Sequence, residues 1–522
     1  MRNASAHLLT RLARPSRCSR LPNAIRCSSS TTSSPSVSSA GQRQWSTPLA
    51  KTISEAISVT GPVSIAAYMR QCLTSPEGGY YTSRGERAAG TEVFGARGDF
   101  ITSPEISQMF GELLGVWTVA EWMGQGRRKE GVQIIELGPG RGMMIADMLR
   151  TFRNFKSFAS AIEAVYLVEA SPVLREVQRK VLCGDAPMEE VEIGYKSTSV
   201  HLGVPVIWTE HIRLLPEEPD KTPFIFAHEF FDALPIHAFQ SIEVPAPSPS
   251  ASQTINTPTG PTTLHQPPST PPTAQHQWRE LVVSPNPPPA APSSNPADNL
   301  EFRLSLAQAP NPSSLVLPET SPRYKALKST PGSTIEICPE AQATAQHIAQ
   351  RIGGAFTKTT TSTTTSSKQT TNPKSQPSGA ALILDYGPSS TIPINSLRGI
   401  RKHELVSPFE TPGQVDLSAD VDFTALAEAA IDASPGVEVY GPAEQGLFLE
   451  ALGIGERARQ LLRKVEGEGK DVEERKKGIE SGWKRLVERE GGGMGRLYKA
   501  MAIVPESGGK RRPVGFGGGV GM

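Results

Sequence analysis

Apolar residues fall along this chain in two rhythms. Short runs that are apolar at every position, or at every second one, occupy residues 132–137, 164–169, 205–209 and 223–228. Among them, apolar residues recur three and four apart over 142–152 and 172–182. The first rhythm predicts strands and the second predicts helices with one buried face. Their alternation predicts an α/β fold, a parallel sheet with helices on both faces. Upstream, Pro62 leads into a helical pattern over 63–73. Ser103 is placed to cap, and Pro104 to open, a helix running to about 123, with Ile106, Phe110, Leu113, Leu114 and Trp117 along one face. Downstream, order resumes over 334–340, a helix follows over 340–352, and the sheet returns over 381–387 with a buried strand that ends in an acid. A helix near 422–432, a strand near 437–440, helical segments near 444–462 and 472–488, and a last strand at 497–504 complete the pattern.

Low-complexity tracts interrupt it. Residues 245–277 and 284–297 are rich in Pro, Ser and Thr, and such composition predicts disorder. Residues 278–283 and 301–306 alternate as strands of an antiparallel insertion would. A Thr/Ser tract at 357–379 reads as a linker, and the glycine-rich end as a loose tail. The expected division is a leader at 1–50, an N-terminal helical segment with a covering loop at 51–131, and a first core part at 132–244. An insertion at 245–379, a second core part at 380–507 and a flexible tail at 508–522 follow.

The net charge of +1 conceals a basic leader. Residues 1–50 hold seven Arg and neither Asp nor Glu, which leaves −6 for the remainder. With its Ser, Thr and Ala content, and an amphipathic turn at 6–12, this is the composition of a mitochondrial presequence. A nucleic-acid-binding arm is the competing reading. It is disfavoured because no aromatic residue precedes Trp45 and no basic patch continues beyond, so no nucleic-acid partner is expected. No apolar run approaches the ~18 residues needed to cross a bilayer. Cys18, Cys27, Cys72, Cys183 and Cys338 show neither pairing nor metal spacing, which points to a reducing compartment.

The strongest chemical signal follows the run at 132–137. Glu136-Leu137-Gly138-Pro139-Gly140-Arg141-Gly142 reads as a glycine turn between strand and helix, and the next strand ends in Glu169. Glycines admit close backbone approach, the helix start offers free N–H groups, and an acid ending the neighbouring strand can accept both hydroxyls of a ribose. A nucleoside-containing cofactor is implied. A dinucleotide fingerprint would place a glycine where Met143 stands. The alternating glycines, with an acid two residues ahead of the first, resemble the first motif of class I S-adenosylmethionine-dependent methyltransferases.

The strand at 223–228 delivers His228-Glu229-Phe230-Phe231-Asp232 to the same sheet edge. Glu229 and Asp232 form a candidate catalytic pair, since two carboxylates can grip a guanidinium and leave one nitrogen better able to attack a sulfonium methyl. Asp232 could equally order the loop. His228 reads as a structural histidine, and His-Glu-x-x-Asp lacks a third ligand for zinc, so no metal is expected. Asp385 could face the cofactor edge or bond loop N–H groups. Asp99, with Ser103 or Thr102, in the loop before the first long helix, is a candidate to meet the cofactor's ammonium, although the residues by themselves favour a helix cap.

Several motifs occur in family order. They are Gly98-Asp99-Phe100-Ile101-Thr102-Ser103-Pro104-Glu105, the glycine turn, Val168-Glu169, His228 to Pro235, Asp385-Tyr386-Gly387 and Asp420-Val421-Asp422-Phe423. Together they resemble the MidA-type mitochondrial protein arginine methyltransferases, over roughly 61–504 apart from the low-complexity inserts. The resemblance implies a class I, Rossmann-like, seven-stranded methyltransferase fold with an inserted subdomain, located in the mitochondrial matrix. It implies S-adenosyl-L-methionine as cofactor and symmetric dimethylation of an arginine in the quinone-site core subunit of complex I, the forty-nine-kilodalton subunit, early in assembly. It leaves room for a homodimer. Carried over by position, Glu136, Gly138, Gly140, Gly142 and Glu169 fall on cofactor-binding sites, and Glu229 and Asp232 on the candidate arginine loop. Pro388 stands where the family commonly has His, so no role is carried to it. Two alternatives stay open: an assembly chaperone that binds the cofactor without catalysis, and an NAD-dependent oxidoreductase.

Overall fold

A computed structural model describes residues 44–82, 101–244, 253–257, 260–264, 275–287, 300–354, 374, 376–466 and 471–517. The presequence reading, with its turn at 6–12, lies outside the described residues, as does Asp99.

Among the described residues, nine strands form the main sheet: β1 (Val132–Leu137), β2 (Ile162–Val168), β3 (Glu189–Val191), β4 (Gly194–Thr198), β5 (Pro205–Thr209), β6 (Thr222–His228), β7 (Ala380–Tyr386), β8 (Val437–Glu444) and β9 (Tyr498–Pro505). Their order is β8-β9-β7-β6-β1-β2-β5-β4-β3. The pairs joining β7, β6, β1, β2 and β5 are parallel, and β9 runs antiparallel between β7 and β8. This is the expected seven-stranded class I sheet, widened at one edge by the β3–β4 hairpin, which pairs antiparallel with β5. Alternate residues of the central strands feed opposite cores. Ile134, Leu382 and Leu384 face one core, and Ile135, Leu137, Ala381 and Ile383 face the other. Helices Gln108–Gly124 and Met143–Phe152 cover the first core, and Pro339–Gly353 and Phe423–Ala433 cover the second. Burying both faces explains why these strands read as unbroken apolar runs.

The order of the molecule begins earlier than the leader boundary at residue 50. Thr47 caps a helix, Pro48–Thr60, and Trp45 stacks on Phe302 with ring centroids 6.1 Å apart. The pattern at 63–73 resolves into a two-residue strand, Val63–Ser64, and a helix, Ile65–Thr74, because the Ser64 side chain accepts from Ala67 N and starts the helix there. That short strand pairs with Gln275–Pro285, which also pairs with His237–Val244 and Phe302–Leu306, and Thr334–Ile337 completes the sheet. The N-terminal segment and the insertion therefore share one antiparallel sheet.

Other local expectations are corrected. The tract 245–277 is not wholly without structure, since Gln253–Thr257 and Gly260–Leu264 pair as a hairpin and a strand begins at Gln275. Thr-rich, alternating sequence supports strand geometry where it finds a partner. The helix expected over 444–462 breaks at Gly453, whose φ of +86° separates Gln445–Ala451 from Ile454–Glu466. The tail is not loose up to residue 517. Phe516 packs on Phe448 at 5.3 Å, and Trp117 Nε1–H donates to Val514 O at 3.2 Å. One buried ring among glycines is enough to anchor it. No helix among the described residues is long and apolar enough to cross a membrane.

One contact shapes the functional edge of the sheet. Asp385, next to last in β7, is fully buried. Its Oδ2 accepts the N–H groups of Phe230, Phe231 and Asp232 at 3.2, 2.9 and 3.3 Å, and its Oδ1 accepts that of Tyr386 at 2.9 Å. Burial, then the neighbouring Asp232 charge, raises the proton affinity of this carboxyl, while the N–H donors oppose the rise. Asp385→Ala leaves these donors without an acceptor in a dry site, and the expected loss in urea unfolding free energy is about 3 kcal/mol or more. A loss under about 1 kcal/mol would contradict the role given to this carboxylate.

Candidate active site

A cavity of about 580 Å³ opens at the carboxyl ends of β1, β2 and β6, where the strand order reverses. That crevice is where open α/β sheets bind ligands. Its floor comes from β1. Glu136 is only 3% exposed, and burial followed by the nearby Glu169 charge pushes its carboxyl up to about 8. Glu136 Oε2 meets no donor among the described residues. The chain then turns through Gly138, Gly140 and Gly142, all in the left-handed region with φ of +65°, +52° and +81°. A Cβ on Gly138 would stand 2.9 Å from Phe230 Cδ2, so this position needs glycine for both conformation and space. Gly138 and Gly140 line the cavity. Gly142 does not: it is the N-cap of Met143–Phe152, so its part in the turn is conformational.

Glu169 follows β2 and lines the same cavity. Ser171 N–H donates to its Oε1 at 2.8 Å and Gln178 Nε2–H to its Oε2 at 3.0 Å, yet burial prevails and its carboxyl rises to about 7. Gln178 Nε2 also donates to Gly140 O at 2.7 Å, while its Oε1 accepts from Trp208 Nε1 at 2.9 Å. One buried amide thus ties the glycine turn to the acid. The sequence signal for Gln178 is slight, a polar residue on the helical stripe between Leu174 and Leu182.

These groups fit S-adenosylmethionine. Glu169 would take the ribose hydroxyls, the unmatched oxygen of Glu136 would face the cationic part of the cofactor, and Gly138 and Gly140 line the cavity where the ligand would lie. Bound there, the cofactor supplies an electrophilic methyl group.

Glu229 enters the cavity from the other side. Its φ is +49°, its backbone N–H donates to Leu384 O at 2.9 Å, and its side chain is 9% exposed. His228 Nε2 lies 3.1 Å from Glu229 Oε1, within ion-pair distance, but the two atoms are not aligned as a hydrogen bond and neither has one among the described residues. The His228 ring packs edge-on to Phe110 at 5.0 Å.

Asp232 does not line the cavity. Its Oδ2 accepts the Tyr386 hydroxyl, and the Arg398 guanidinium lies 4.6 Å over the Tyr386 ring. Burial raises the Asp232 carboxyl to about 6, with the Tyr386 hydrogen bond opposing. Glu229 and Asp232 therefore do not make the side-by-side grip expected from their spacing. Residues three apart face the same way on a helix, but this segment is a turn pinned by Asp385, which sends Glu229 into the cavity and Asp232 behind it.

Ser103 is also displaced from its expected role. Thr102 caps the short helix Ser103–Ile106 in a capping box with Glu105, and Ser107 separately caps Gln108–Gly124. Ser103 Oγ is buried 4.0 Å from Met494 Sδ, away from the cavity, whereas Thr102 and Glu105 line it. Glu105 stood in the sequence motif with no role attached.

Fold and site together define a class I methyltransferase. A family model for S-adenosyl-L-methionine-dependent methyltransferases matches residues 113–443. The mitochondrial protein arginine methyltransferase NDUFAF7 of Danio rerio is 34% identical over 415 residues, covering 79% of this chain and 78% of the relative. That of Homo sapiens is 33% identical over 422 residues, covering 80% and 76%. In fold, the chain is similar to a protein from Burkholderia thailandensis described as a methyl transferase and solved with S-adenosyl-homocysteine bound. That likeness has TM-score 0.57 at 20% identity and covers 90% of this chain and 92% of that one. The chain belongs to the NDUFAF7 family of S-adenosylmethionine-dependent methyltransferases. Its relatives are mitochondrial by name, in keeping with the acid-free leader.

Gly138→Val forces a branched side chain into left-handed backbone and against Phe230. Calorimetry with S-adenosylmethionine is expected to show affinity lowered at least 100-fold, and wild-type affinity would remove the turn from cofactor binding.

Proposed function

We propose that this chain transfers methyl groups from S-adenosylmethionine to a protein arginine as a type II enzyme, producing symmetric dimethylarginine. Its substrate in this reading is the quinone-site core subunit of complex I, modified in the mitochondrial matrix early in assembly. The observation that carries the reading is Glu229, a nearly buried carboxylate with an unmatched oxygen in the same cavity as Glu136 and Glu169. A buried carboxylate oxygen without a donor is costly unless a ligand brings one. A guanidinium brings several, in a planar fork, together with the compensating charge. Held there, its positive charge is drawn toward the carboxylate side and another nitrogen is left to attack the methyl, with placement supplying much of the rate.

The names of the curated relatives support an arginine as acceptor, and the basic leader supports import. The test is incubation of the purified enzyme with S-adenosylmethionine and the recombinant complex I subunit, followed by mass spectrometry of the digested product. Symmetric dimethylarginine is expected with wild type. An unmethylated subunit, or methylation on lysine, would overturn the proposal, and asymmetric dimethylarginine would overturn its type II part.

A further inference from the structure

The loss of Asp232 from the cavity leaves Glu229 needing a partner if a guanidinium is to be held from two sides. The described residues provide one from an unexpected element. Glu105, on the short helix Ser103–Ile106, lines the same cavity as Glu229, and its side chain is only 10% exposed. Its Oε2 is committed to the Thr102 N–H at 3.2 Å, which fixes the rotamer. Its Oε1 is buried and meets no hydrogen-bond donor among the described residues, with Arg141 Nη1 at 3.9 Å, too far for a hydrogen bond. Glu229 Oε1 is also buried without a hydrogen bond among the described residues, although His228 Nε2 stands 3.1 Å away, not aligned to donate. Two buried acceptors from separate elements thus converge on one cavity.

We propose that Glu105, and not Asp232, is the second carboxylate of the arginine site, so that the substrate guanidinium is gripped between Glu105 and Glu229. The inference rests on the arginine methyltransferase reading above. Glu229 anchors the cation. In the transfer, the nitrogen–methyl bond forms as the sulfur–methyl bond breaks, the electron pair of the broken bond stays on sulfur, and the proton released from nitrogen passes to Glu105. Burial favours protonation of Glu105, with the Glu229 charge a smaller cause in the same direction and the Thr102 and Arg141 contacts opposing. Asp232 becomes a positioning residue, acting through Tyr386 and the turn.

The test compares Glu105→Gln, Glu229→Gln and Asp232→Asn in the full enzyme. Affinity is read by calorimetry with S-adenosylhomocysteine, and kcat and KM are read with the complex I subunit. Glu105→Gln is expected to keep S-adenosylhomocysteine affinity within about threefold and lose at least 100-fold in kcat/KM, matching Glu229→Gln. Asp232→Asn should lose no more than about tenfold. Turnover by Glu105→Gln near wild type would overturn the proposal. So would a more than tenfold loss of S-adenosylhomocysteine affinity, which would make Glu105 a cofactor contact. A wild-type enzyme that leaves the subunit unmethylated would overturn the functional reading itself, a failure distinct from either. If Glu105→Gln does not fold, Glu105→Asp keeps the charge but withdraws it by one methylene. It must then lose at least tenfold in kcat while binding S-adenosylhomocysteine normally, and full kcat would overturn the proposal.

Discussion

A single buried carboxylate decides what the carboxyl edge of this sheet can do. Asp385 takes three successive N–H groups of the turn after β6 on a single carboxylate oxygen. The left-handed backbone at Glu229 sits at the head of the same turn and carries the side chain into the cavity. Asp232 stands outside the cavity, bonded to the Tyr386 hydroxyl, whose ring lies under Arg398. Strained backbone of this kind persists where surrounding contacts over-determine it, often at functional sites. The cofactor half of the cavity has a comparable organiser in Gln178, which joins the Gly140 carbonyl to the Glu169 carboxylate.

The same geometry gathers acidic side chains. Glu105, Glu136, Glu169 and Glu229 all line one cavity, and burial raises the carboxyl groups of the first three. Crowding carboxylates in a poorly hydrated space is costly for the protein alone. The cost falls when a cation enters, and the sulfonium of S-adenosylmethionine is one. A cavity lined this way suits a cationic ligand better than an anionic one.

Much of this was legible in the sequence because the signals were local. The apolar runs at 132–137 and 381–385, the glycine turn and the acid ending β2 each depend on neighbours within a few residues, and each stands where the pattern placed it. What the pattern misplaced depends on distant partners. Asp232 leaves the cavity because Asp385, more than a hundred residues away, pins the turn. Val63–Ser64 becomes a strand because Gln275–Pro285 offers it an edge. Thr102 rather than Ser103 caps its helix because Glu105 closes the capping box, a signal that was present locally but outweighed by Pro104. The folded tail turns on Phe516 finding Phe448.

Where the nucleoside lies and which acid faces the transferred methyl decide how this cavity works. A crystal structure with S-adenosylhomocysteine tests both at once. The ribose hydroxyls are expected on Glu169, with the sulfur turned toward the side of the cavity that Glu229 enters. A ribose bound away from Glu169, or a sulfur shielded from Glu229 by the rest of the cofactor, would contradict that arrangement.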